Sequence, residues 1–346
     1  MSSNAVESIR DVEHLEDLLS EPAPGLVEAM ARIRGDILIL GVSGKMGPTL
    51  ARQARRASDL AGVSRRIVGV ARFGSGDQAA RLEAHGVEAI RCDLLDPDQI
   101  QALPEMPNVI YLAGMKFGTT GQEAMTWAIN TFLPGQVCRK FRRSRIVALS
   151  TGNVYGLSPA DGPGSRETDR PDPRGEYAMS CLGRERIFEH FSRSLGIPVA
   201  LIRLNYATEM RYGVLVDLAR AVAAGEPIGL AMGRLNAIWQ ADANAMVLRA
   251  LEHAESPPLV LNVTGPENLG VREVARRFGS LIGREPIFRG TEAADALLSD
   301  AGKAISLFGP PRVDADRMIG WIADWVRRGG PSLDKPTHFE VRDGQF

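Results

Sequence analysis

The sequence predicts an α/β protein in which a doubly wound parallel sheet carries a smaller mixed α/β part on its C-terminal side. Two observations predict this fold class. Short apolar runs alternate with amphipathic helical patterns throughout residues 36–204, and this regularity loosens beyond residue 204. Strands that alternate with helices at such spacing pair in parallel through right-handed crossovers, and helices cover their sheet on both faces, so the strands are apolar throughout.

The predicted strands are short apolar runs bounded by glycine or polar residues. They lie at residues 36–42, 66–72, 87–92, 108–113, 145–150 and 198–204. Helices are predicted between them at residues 46–58, 78–85, 121–141 and 177–195. Residues 157–176 are polar and rich in proline and glycine, so we expect a long loop there.

The second part is predicted to mix helices with a strand. The helices lie at residues 214–224, 244–253, 272–282 and 314–327, and the strand at residues 259–263. We therefore expect a sheet domain at residues 36–204 and a mainly substrate-binding domain at residues 205–346, with segments at about 236–264 returning to the first.

Residues 1–35 are predicted to form an N-terminal helical extension. Apolar residues between Glu7 and Leu19 recur at helical spacing before Pro22 and Pro24. Two interpretations stay open: a helix packed on the outside of the sheet domain and an arm that binds a partner.

The composition is that of an ordinary globular protein of 346 residues, with 44% hydrophobic and 24% charged residues and a formal net charge of -1. Because no block of like charge occurs, we expect no nucleic-acid or membrane partner. Cys92, Cys138 and Cys181 form no CxxC pair, so we expect neither a disulfide framework nor a metal site. The acidic N-terminus does not resemble a signal peptide, and no apolar run reaches the roughly 18 residues of a membrane span, so the cytoplasm is the expected location.

A glycine motif follows the first predicted strand and opens the first helix of the sheet domain. Its residues are Gly41, Val42, Ser43, Gly44, Lys45, Met46 and Gly47. Glycines at this spacing allow a tight turn and a close approach of the backbone to a pyrophosphate, which the helix N-terminus also favours. The motif predicts a Rossmann-like fold that binds a dinucleotide. For Lys45, a contact with the cofactor phosphates and a solvated side chain both stay open.

The end of the second strand bears on the choice of cofactor. An NAD enzyme usually carries an acidic residue there, which accepts a hydrogen bond from the ribose 2′-hydroxyl. This chain has Ala71 at that place and Arg72 after it, and an arginine suits a 2′-phosphate. The sequence therefore favours NADP over NAD, with a surface Arg72 and bound NAD as the alternative.

The GxxGxxG spacing resembles that of the extended short-chain dehydrogenase/reductase superfamily, in particular the UDP-galactose 4-epimerase-like members of the NAD-dependent epimerase/dehydratase family. Asp93 is similar to the family's adenine-contacting aspartate, the segment AGMKFG at residues 113–118 is similar to AGLKAVG in these epimerases, and Asn130 matches an asparagine that braces the active site. Together with Arg72, the resemblance implies cofactor contacts from Gly41, Ser43, Gly44, Lys45, Met46, Gly47, Asp93, Leu94, Leu112, Ala113, Gly114, Lys116, Asn130, Leu149, Ser150, Leu204 and Asn205.

The resemblance also implies a catalytic pair. Family chemistry transfers a hydride to or from nicotinamide while a tyrosine exchanges a proton with a substrate hydroxyl. The segment STGNVYG at residues 150–156 is similar to the family's SSxxVYG, which implies that Thr151 orients the substrate oxygen and that Tyr177 is the general acid/base. A tyrosine pKa near 10 needs a cation to lower it, which the family supplies as the lysine of YxxxK. This chain has Cys181 at the lysine position.

Three interpretations of Cys181 stay open. Another cation, Lys116 or Arg184, replaces the lysine; the oxidised nicotinamide supplies the positive charge; or catalysis is lost and the protein binds a dinucleotide as a regulator or scaffold. A nucleophilic role for Cys181 has no support, because no histidine lies near it in sequence.

The resemblance extends more weakly to the substrate side. The segment RLNY at residues 203–206 is similar to the family's RLxN, and sugar-nucleotide members bind a diphosphate through basic residues in this part. The candidate substrate residues are Asn153, Tyr206, Arg211, Arg234 and Arg272. The resemblance implies NAD(P)-dependent redox chemistry or epimerisation at a sugar or sugar-nucleotide hydroxyl, and a homodimer formed by the helices after the fourth and fifth strands.

Overall fold

The computed structural model describes residues 8–74, 76–116 and 121–344, and these form an α/β fold around a seven-stranded parallel sheet. The strands are β1 (Ile37–Leu40), β2 (Ile67–Ala71), β3 (Glu88–Arg91), β4 (Asn108–Tyr111), β5 (Arg145–Thr151), β6 (Val199–Leu204) and β7 (Leu259–Val263). Their order is β3-β2-β1-β4-β5-β6-β7, with every neighbouring pair parallel. The predicted Rossmann-like doubly wound sheet is confirmed.

Strand β1 lies where the strand order reverses. It pairs with β2 on one side and β4 on the other, so that Ile39 lies beside Gly69 and Ile110. All four β1 side chains are buried, as expected for a strand covered by helices on both faces. Ligands of such sheets bind beyond the carboxyl ends of the strands at the reversal. The glycine motif, which follows β1, lies there.

Helices cover both faces of the sheet and build the C-terminal part. They are α1 (Val12–Leu19), α2 (Pro24–Arg32), α3 (Gly47–Leu60), α4 (Gln78–Ala84), α5 (Pro97–Ala102), α6 (Glu123–Trp127), α7 (Leu133–Lys140), α8 (Gly175–Leu195), α9 (Val214–Ala224), α10 (Gln240–Arg249), α11 (Val271–Ile282), α12 (Gly302–Phe308) and α13 (Ala315–Arg327). Sequence periodicity does not predict α5 and α12, because each is too short to show a repeating apolar face.

The helix predicted at residues 121–141 is divided. It begins as α6, continues as the π-helical turn Ala128–Phe132 and ends as α7. Such single π-helical turns are frequent at functional sites. Here the turn carries Asn130, whose side chain is fully buried in the interior.

The C-terminal part packs α9, α11 and α13 around a second apolar core, in which the rings of Trp239 and Trp321 meet edge-on with 5.5 Å between their centroids. Short strand pairs complete this part, and one of them joins it to the loop after β5. The pairs are Ser158–Pro159 with Asp295–Ala296, Ala207–Thr208 with Ile238–Trp239, Pro227–Gly229 with Ile287–Arg289, and Arg234–Leu235 with Leu269–Gly270. The smaller mixed α/β part of the predicted fold class is confirmed.

The first two helices bury their apolar faces within the chain. Leu15 and Leu19 of α1 lie in the C-terminal core, and Leu26 and Met30 of α2 lie in the core beneath the sheet. This packing favours the outside helix over the partner-binding arm. Residues 1–7 of the predicted N-terminal extension and residues 117–118 of the AGMKFG segment lie outside the described residues. Among the helices that the structure describes, none is both long and apolar enough to cross a membrane.

Candidate active site

The glycine motif forms a tight turn between β1 and α3. Gly41 has a φ of +85°, and a Cβ there would lie 2.7 Å from the backbone nitrogen of Ala113 on the loop after β4. A Cβ on Gly47 would overlap the carbonyl oxygen of Val42. Both positions therefore require glycine. Because α3 begins at Gly47, the positive end of its dipole lies at this turn.

Two cavities meet at the turn. The outer cavity, about 200 Å³, lies at the ends of β2 and β3, and the central cavity, about 340 Å³, lies at the ends of β5 and β6. Both are lined by Gly41, Gly44, Leu112 and Gly114. The other predicted cofactor residues in the outer cavity are Ser43, Arg72, Asp93, Leu94 and Ala113. Those in the central cavity are Lys45, Met46, Gly47, Lys116, Leu149, Ser150, Leu204 and Asn205.

At the outer cavity, Arg72 is exposed and Asp93 is partly buried. The Asp93 carboxylate accepts a hydrogen bond from the backbone nitrogen of Leu95 at 3.0 Å, which orients it at the end of β3. The Arg91 guanidinium donates to the carbonyl oxygens of Arg72 and Phe73, both at 2.6 Å, and so holds the turn that presents Arg72. An exposed Arg72 is compatible with either cofactor.

In the central cavity, the structure brings the predicted catalytic pair together. Thr151 ends β5, and its hydroxyl donates to Asn153 Oδ1 at 2.9 Å and accepts from the Asn153 backbone nitrogen at 3.2 Å. Tyr177 lies in the first turn of α8, and the Thr151 side chain acts to lower the Tyr177 pKa. Two neighbouring hydroxyls at one end of a cavity can bind an alcohol or carbonyl oxygen and pass a proton to or from it.

Cys181 lies beside Tyr177 one helical turn along α8, at the place where the sequence aligns it with the family lysine. Its thiol is fully buried, and it packs with Tyr177 in a small apolar cluster. Burial raises the pKa of the Cys181 thiol, so it is neutral at physiological pH. Burial also raises the pKa of Tyr177 well above its ordinary value, and Cys181 adds to that rise. Tyr177 is therefore protonated in the protein without ligand.

Arg184 places a cation close to this pair. Its side chain is buried, and the guanidinium donates to the carbonyl oxygen of Leu149 at 2.8 Å and to Asn130 Oδ1. Its charge acts to lower the pKa of both Tyr177 and Cys181. A Cβ on Gly114, which lines both cavities, would lie 2.7 Å from Arg184 Nη2. The positive charge thus lies directly behind the cavity wall.

Asn130 fastens the loop after β4 to α8. Its side-chain oxygen accepts from the Met115 backbone nitrogen at 2.9 Å, and its side-chain nitrogen donates to the Met115 carbonyl and to Ser180 Oγ, both at 3.0 Å. Asn130 lines neither cavity. Its geometry matches a brace of the site better than the predicted direct cofactor contact.

A buried polar network behind β5 is not predicted by the sequence. Ser150 Oγ donates to Glu185 Oε1 at 2.6 Å, Arg203 pairs with Glu185 at 2.7 Å, and Arg203 also donates to the Tyr155 hydroxyl at 2.7 Å. The Tyr155 hydroxyl in turn donates to Asn262 Oδ1 at 2.9 Å. The Ser150 hydroxyl therefore faces Glu185, although Ser150 itself lines the central cavity. Glu185 lies eight residues after Tyr177 and thus on the same helical face, and this spacing is the sequence feature that could have predicted its place in the network.

The predicted substrate residues separate into two groups. Asn153 and Tyr206 line the central cavity. Arg211 lines an adjoining cleft of about 310 Å³ and is ion-paired with Glu209 and Glu16.

Arg234 and Arg272 line neither cavity, since each is ion-paired elsewhere, with Glu273 at 3.8 Å and Glu292 at 2.7 Å respectively. Sequence similarity does not separate an arginine that faces a ligand from one that pairs with a nearby acid. Five further residues line the central cavity without having been predicted, namely Ala207, Tyr212, Gly213, Lys335 and Thr337.

Comparison with known proteins identifies the family. The model of the NAD dependent epimerase/dehydratase family matches residues 37–263. The chain belongs to this family. None of the curated protein sequences compared with the chain matches it significantly.

Solved structures of similar fold include sugar-nucleotide enzymes. The UDP-glucuronic acid 4-epimerase from Bacillus cereus in complex with NAD has a TM-score of 0.71 and 18% identity, covering 86% of this chain and 99% of that one. The UDP-glucose 4-epimerase from Thermotoga maritima has a TM-score of 0.71 and 19% identity, with coverage of 85% and 99%. The dTDP-glucose 4,6-dehydratase DesIV from Streptomyces venezuelae, with NAD bound, has a TM-score of 0.71 and 16% identity, with coverage of 85% and 97%.

As a member of the NAD-dependent epimerase/dehydratase family, this chain departs from the family pattern YxxxK at Cys181. Of the two candidate cations, Arg184 acts to lower the pKa of both Tyr177 and Cys181, and Lys116 acts to lower that of Cys181. Within the described ranges, no group of three or more histidine, cysteine or acidic side chains is arranged to hold a metal ion.

Proposed function

We propose that this chain binds NAD or NADP and transfers a hydride at a carbinol carbon of a sugar or sugar nucleotide, as an oxidoreductase or epimerase. The observation that carries the proposal is that Thr151 and Tyr177 are neighbours in the central cavity, which the glycine turn also lines. Family membership supports it, as do the solved structures of similar fold, which are described as NAD and UDP-sugar complexes.

The residues present fit a dinucleotide. The glycine turn leaves no room for a Cβ at Gly41 or Gly47, and a pyrophosphate-binding turn needs this close approach of the backbone. The central and outer cavities lie on either side of the turn. When bound, the nicotinamide supplies the hydride donor or acceptor. Arg72 at the outer cavity favours NADP through its charge, whereas the solved structures of similar fold contain NAD.

Proton transfer is assigned to this chain's own residues. Thr151 orients the substrate oxygen, and Tyr177 donates a proton to it or accepts one from it. Because the pKa of Tyr177 is raised by burial, ionisation of its hydroxyl depends on nearby positive charge. Arg184 replaces the missing lysine. It lies behind the wall of the central cavity, and its positive charge favours the ionised form of Tyr177.

A second candidate is a dinucleotide-binding regulator with impaired catalysis. The neutral Cys181 thiol and the raised pKa of Tyr177 favour it, because both oppose the base form of the tyrosine. Both candidates share the same fold and cofactor cavity, so only a kinetic measurement separates them.

We also propose a homodimer formed through the helices after β4 and β5. Among the described residues of these helices, the exposed large apolar side chains are those of Met125, Trp127, Phe132, Met179 and, at the end of α8, Leu195. Apolar groups clustered on adjacent helices are typical of a protein–protein interface.

The test combines binding with turnover. Thermal shift with NAD and with NADP measures cofactor choice, and equal or absent stabilisation by both removes the 2′-phosphate role from Arg72. A screen of sugars and sugar nucleotides for nicotinamide absorbance then compares the natural chain with Tyr177→Phe. Unchanged turnover in the variant contradicts the role of Tyr177, and cofactor binding without any turnover favours the regulator.

A further inference from the structure

The N-terminal extension packs on both parts of the molecule. Leu15 and Leu19 of α1 are buried in the C-terminal core, whereas Leu26 and Met30 of α2 are buried in the core beneath the sheet. The family model begins at residue 37, so both helices precede the segment that it matches. The family pattern therefore assigns no role to α1.

On one side, α1 is held to α3, the helix that begins at the glycine turn. Asp17 is ion-paired with Arg52 of α3. Arg56, one turn further along α3, donates to the Asp17 carbonyl oxygen at 2.7 Å and to Ser20 Oγ at 2.9 Å. These contacts fix α1 to the helix that carries the turn.

On the other side, α1 is held to the C-terminal part. Glu16 is ion-paired at 3.0 Å with Arg211, which lies in the chain between β6 and α9. Arg328, which follows α13, donates to the carbonyl oxygen of Arg10 at 3.0 Å and to that of Ile9, just before α1 begins. Helix α1 thus connects α3 with the C-terminal part.

The central cavity lies between the same two sides. The glycine turn lines it from the sheet, and residues 205–207, 212–213, 335 and 337 line it from the C-terminal side. Lys45 of the turn reaches across, since its Nζ donates to the Ala207 carbonyl oxygen at 3.1 Å and lies 3.8 Å from the centre of the Tyr212 ring. The spacing of the two sides therefore sets how open this cavity is.

The adjoining cleft is the place where α1 meets both sides. Glu16 lines it together with Gly44 and Lys45 of the glycine turn and with Arg211 and Lys335 of the C-terminal part. Gly44, Lys45 and Lys335 also line the central cavity, so the cleft continues from it. A side chain of α1 therefore faces the space beside the proposed cofactor site.

We propose that α1 is a clamp that holds the C-terminal part against α3 and thereby slows the release of the bound dinucleotide. Glu16 and Asp17 supply one ion pair to each side. The inference rests on the proposed binding of a dinucleotide and adds what governs its release. The charge of these carboxylates alone would weaken the binding of an anionic cofactor. A clamp therefore predicts the opposite sign from a purely electrostatic role, because its removal speeds release.

The double variant Glu16→Gln, Asp17→Asn tests the clamp. Stopped-flow fluorescence of bound NADH or NADPH, chased with excess ADP-ribose, measures dissociation of the cofactor. We expect dissociation to become about three- to tenfold faster, because two partly exposed ion pairs of modest strength are lost. Arg211 keeps its ion pair with the buried Glu209 at 3.2 Å, so the variant does not leave this arginine unpaired.

Two variants of the same extension are the matched controls. Glu13→Gln removes an exposed negative charge from α1, and Arg32→Gln breaks the ion pair between α2 and Glu252, which follows α10 beside the sheet. Both should leave the dissociation rate within about twofold of that of the natural chain. Unchanged or slower dissociation in the double variant overturns the proposal, as does an equal acceleration in Arg32→Gln.

Hydrogen–deuterium exchange of the protein without cofactor separates the clamp from cofactor binding. In the double variant, the backbone amides of residues 41–47 and 205–213 should exchange faster, while those of the remaining sheet domain stay unchanged. If the natural chain binds neither dinucleotide, the proposed function fails, and this exchange pattern by itself tests the clamp. Exchange that is unchanged in both segments, or faster throughout the chain, overturns it.

Discussion

The glycine turn and the first two turns of α8 serve the same cavity, but they follow the family pattern to different degrees. The turn between β1 and α3 has all three glycines, and a side chain at Gly41 or Gly47 would overlap neighbouring backbone. The α8 segment has Tyr177, but it carries a neutral buried Cys181 in place of lysine. The proposed elements for cofactor binding and for proton transfer therefore lie on different segments of the chain.

The difference follows from what each element must do. The glycine turn acts through backbone shape, which other residue types cannot adopt at these positions. The α8 segment acts through charge, which a cation on a neighbouring turn can also supply. Arg184 lies on such a turn, so the loss of the lysine is compatible with a working site.

Gly41→Val breaks the glycine turn and has the largest expected effect. A valine with a φ of +85° is strained, and its side chain would meet the Ala113 backbone. We expect the free energy of unfolding to fall by about 3 kcal/mol and cofactor affinity to fall more than roughly a hundredfold. Chemical denaturation and calorimetry measure the two. Gly62→Val is the matched control, because Gly62 has a φ of +66° but open space around it. If both variants lose cofactor affinity equally, the close approach at Gly41 is not the cause.

Tyr177→Phe changes the α8 segment and leaves the glycine turn intact. It removes the hydroxyl that neighbours Thr151. Loss of a general acid/base lowers turnover by about 10²–10⁴-fold. The Kd of the cofactor, measured on the same sample, should stay within about twofold, since the glycine turn is untouched. A large change in that Kd would show that binding and proton transfer are coupled after all.

Cys181→Lys gives the α8 segment the lysine that the family pattern has at this position. An ammonium beside Tyr177 lowers its pKa, and each unit is about tenfold in the ionised fraction. Because the ionised tyrosine is the base, the rising limb of the pH–rate profile for substrate oxidation should move to lower pH. Arg184→Met should move it to higher pH, and the neutral replacement Cys181→Ser should leave it in place. An unmoved limb in both charge variants argues against electrostatic control of Tyr177.

The smallest expected effect concerns Lys45, which links the glycine turn to the substrate side. Burial lowers its pKa to about 7; the charges of Glu209 and Asp217 raise it, and those of Lys116 and Arg211 lower it. The ammonium is charged below that pH and neutral above it. Affinity of the central cavity for an anion such as sulfate should therefore fall by less than about tenfold between roughly pH 6 and pH 8. Calorimetry should find this pH dependence retained in Lys335→Gln and lost in Lys45→Gln.

Much of the fold and part of the site follow from the sequence. The strands β1 to β7 coincide with predicted strands, because a strand buried on both faces needs apolar residues along its length. Strand β3 is the exception in burial, since it lies at the edge of the sheet and its side chains are exposed or only partly buried. The glycine motif is readable from its spacing after a strand, whereas the Thr151–Tyr177 pair follows from the resemblance of short segments to the family pattern. Residues 121–141 were harder, because a π-helical turn has no apolar period of its own.

The sequence by itself determined the sheet, the glycine turn and the identity of the residue at the lysine position. These depend on backbone conformation and on periodic burial, which are local properties. Only the tertiary structure decided that Arg184 lies behind Tyr177, that Arg234 and Arg272 are engaged in ion pairs, and that Lys335 lines the central cavity. Each of these depends on which distant segment a side chain meets, and no local pattern in the chain encodes that meeting.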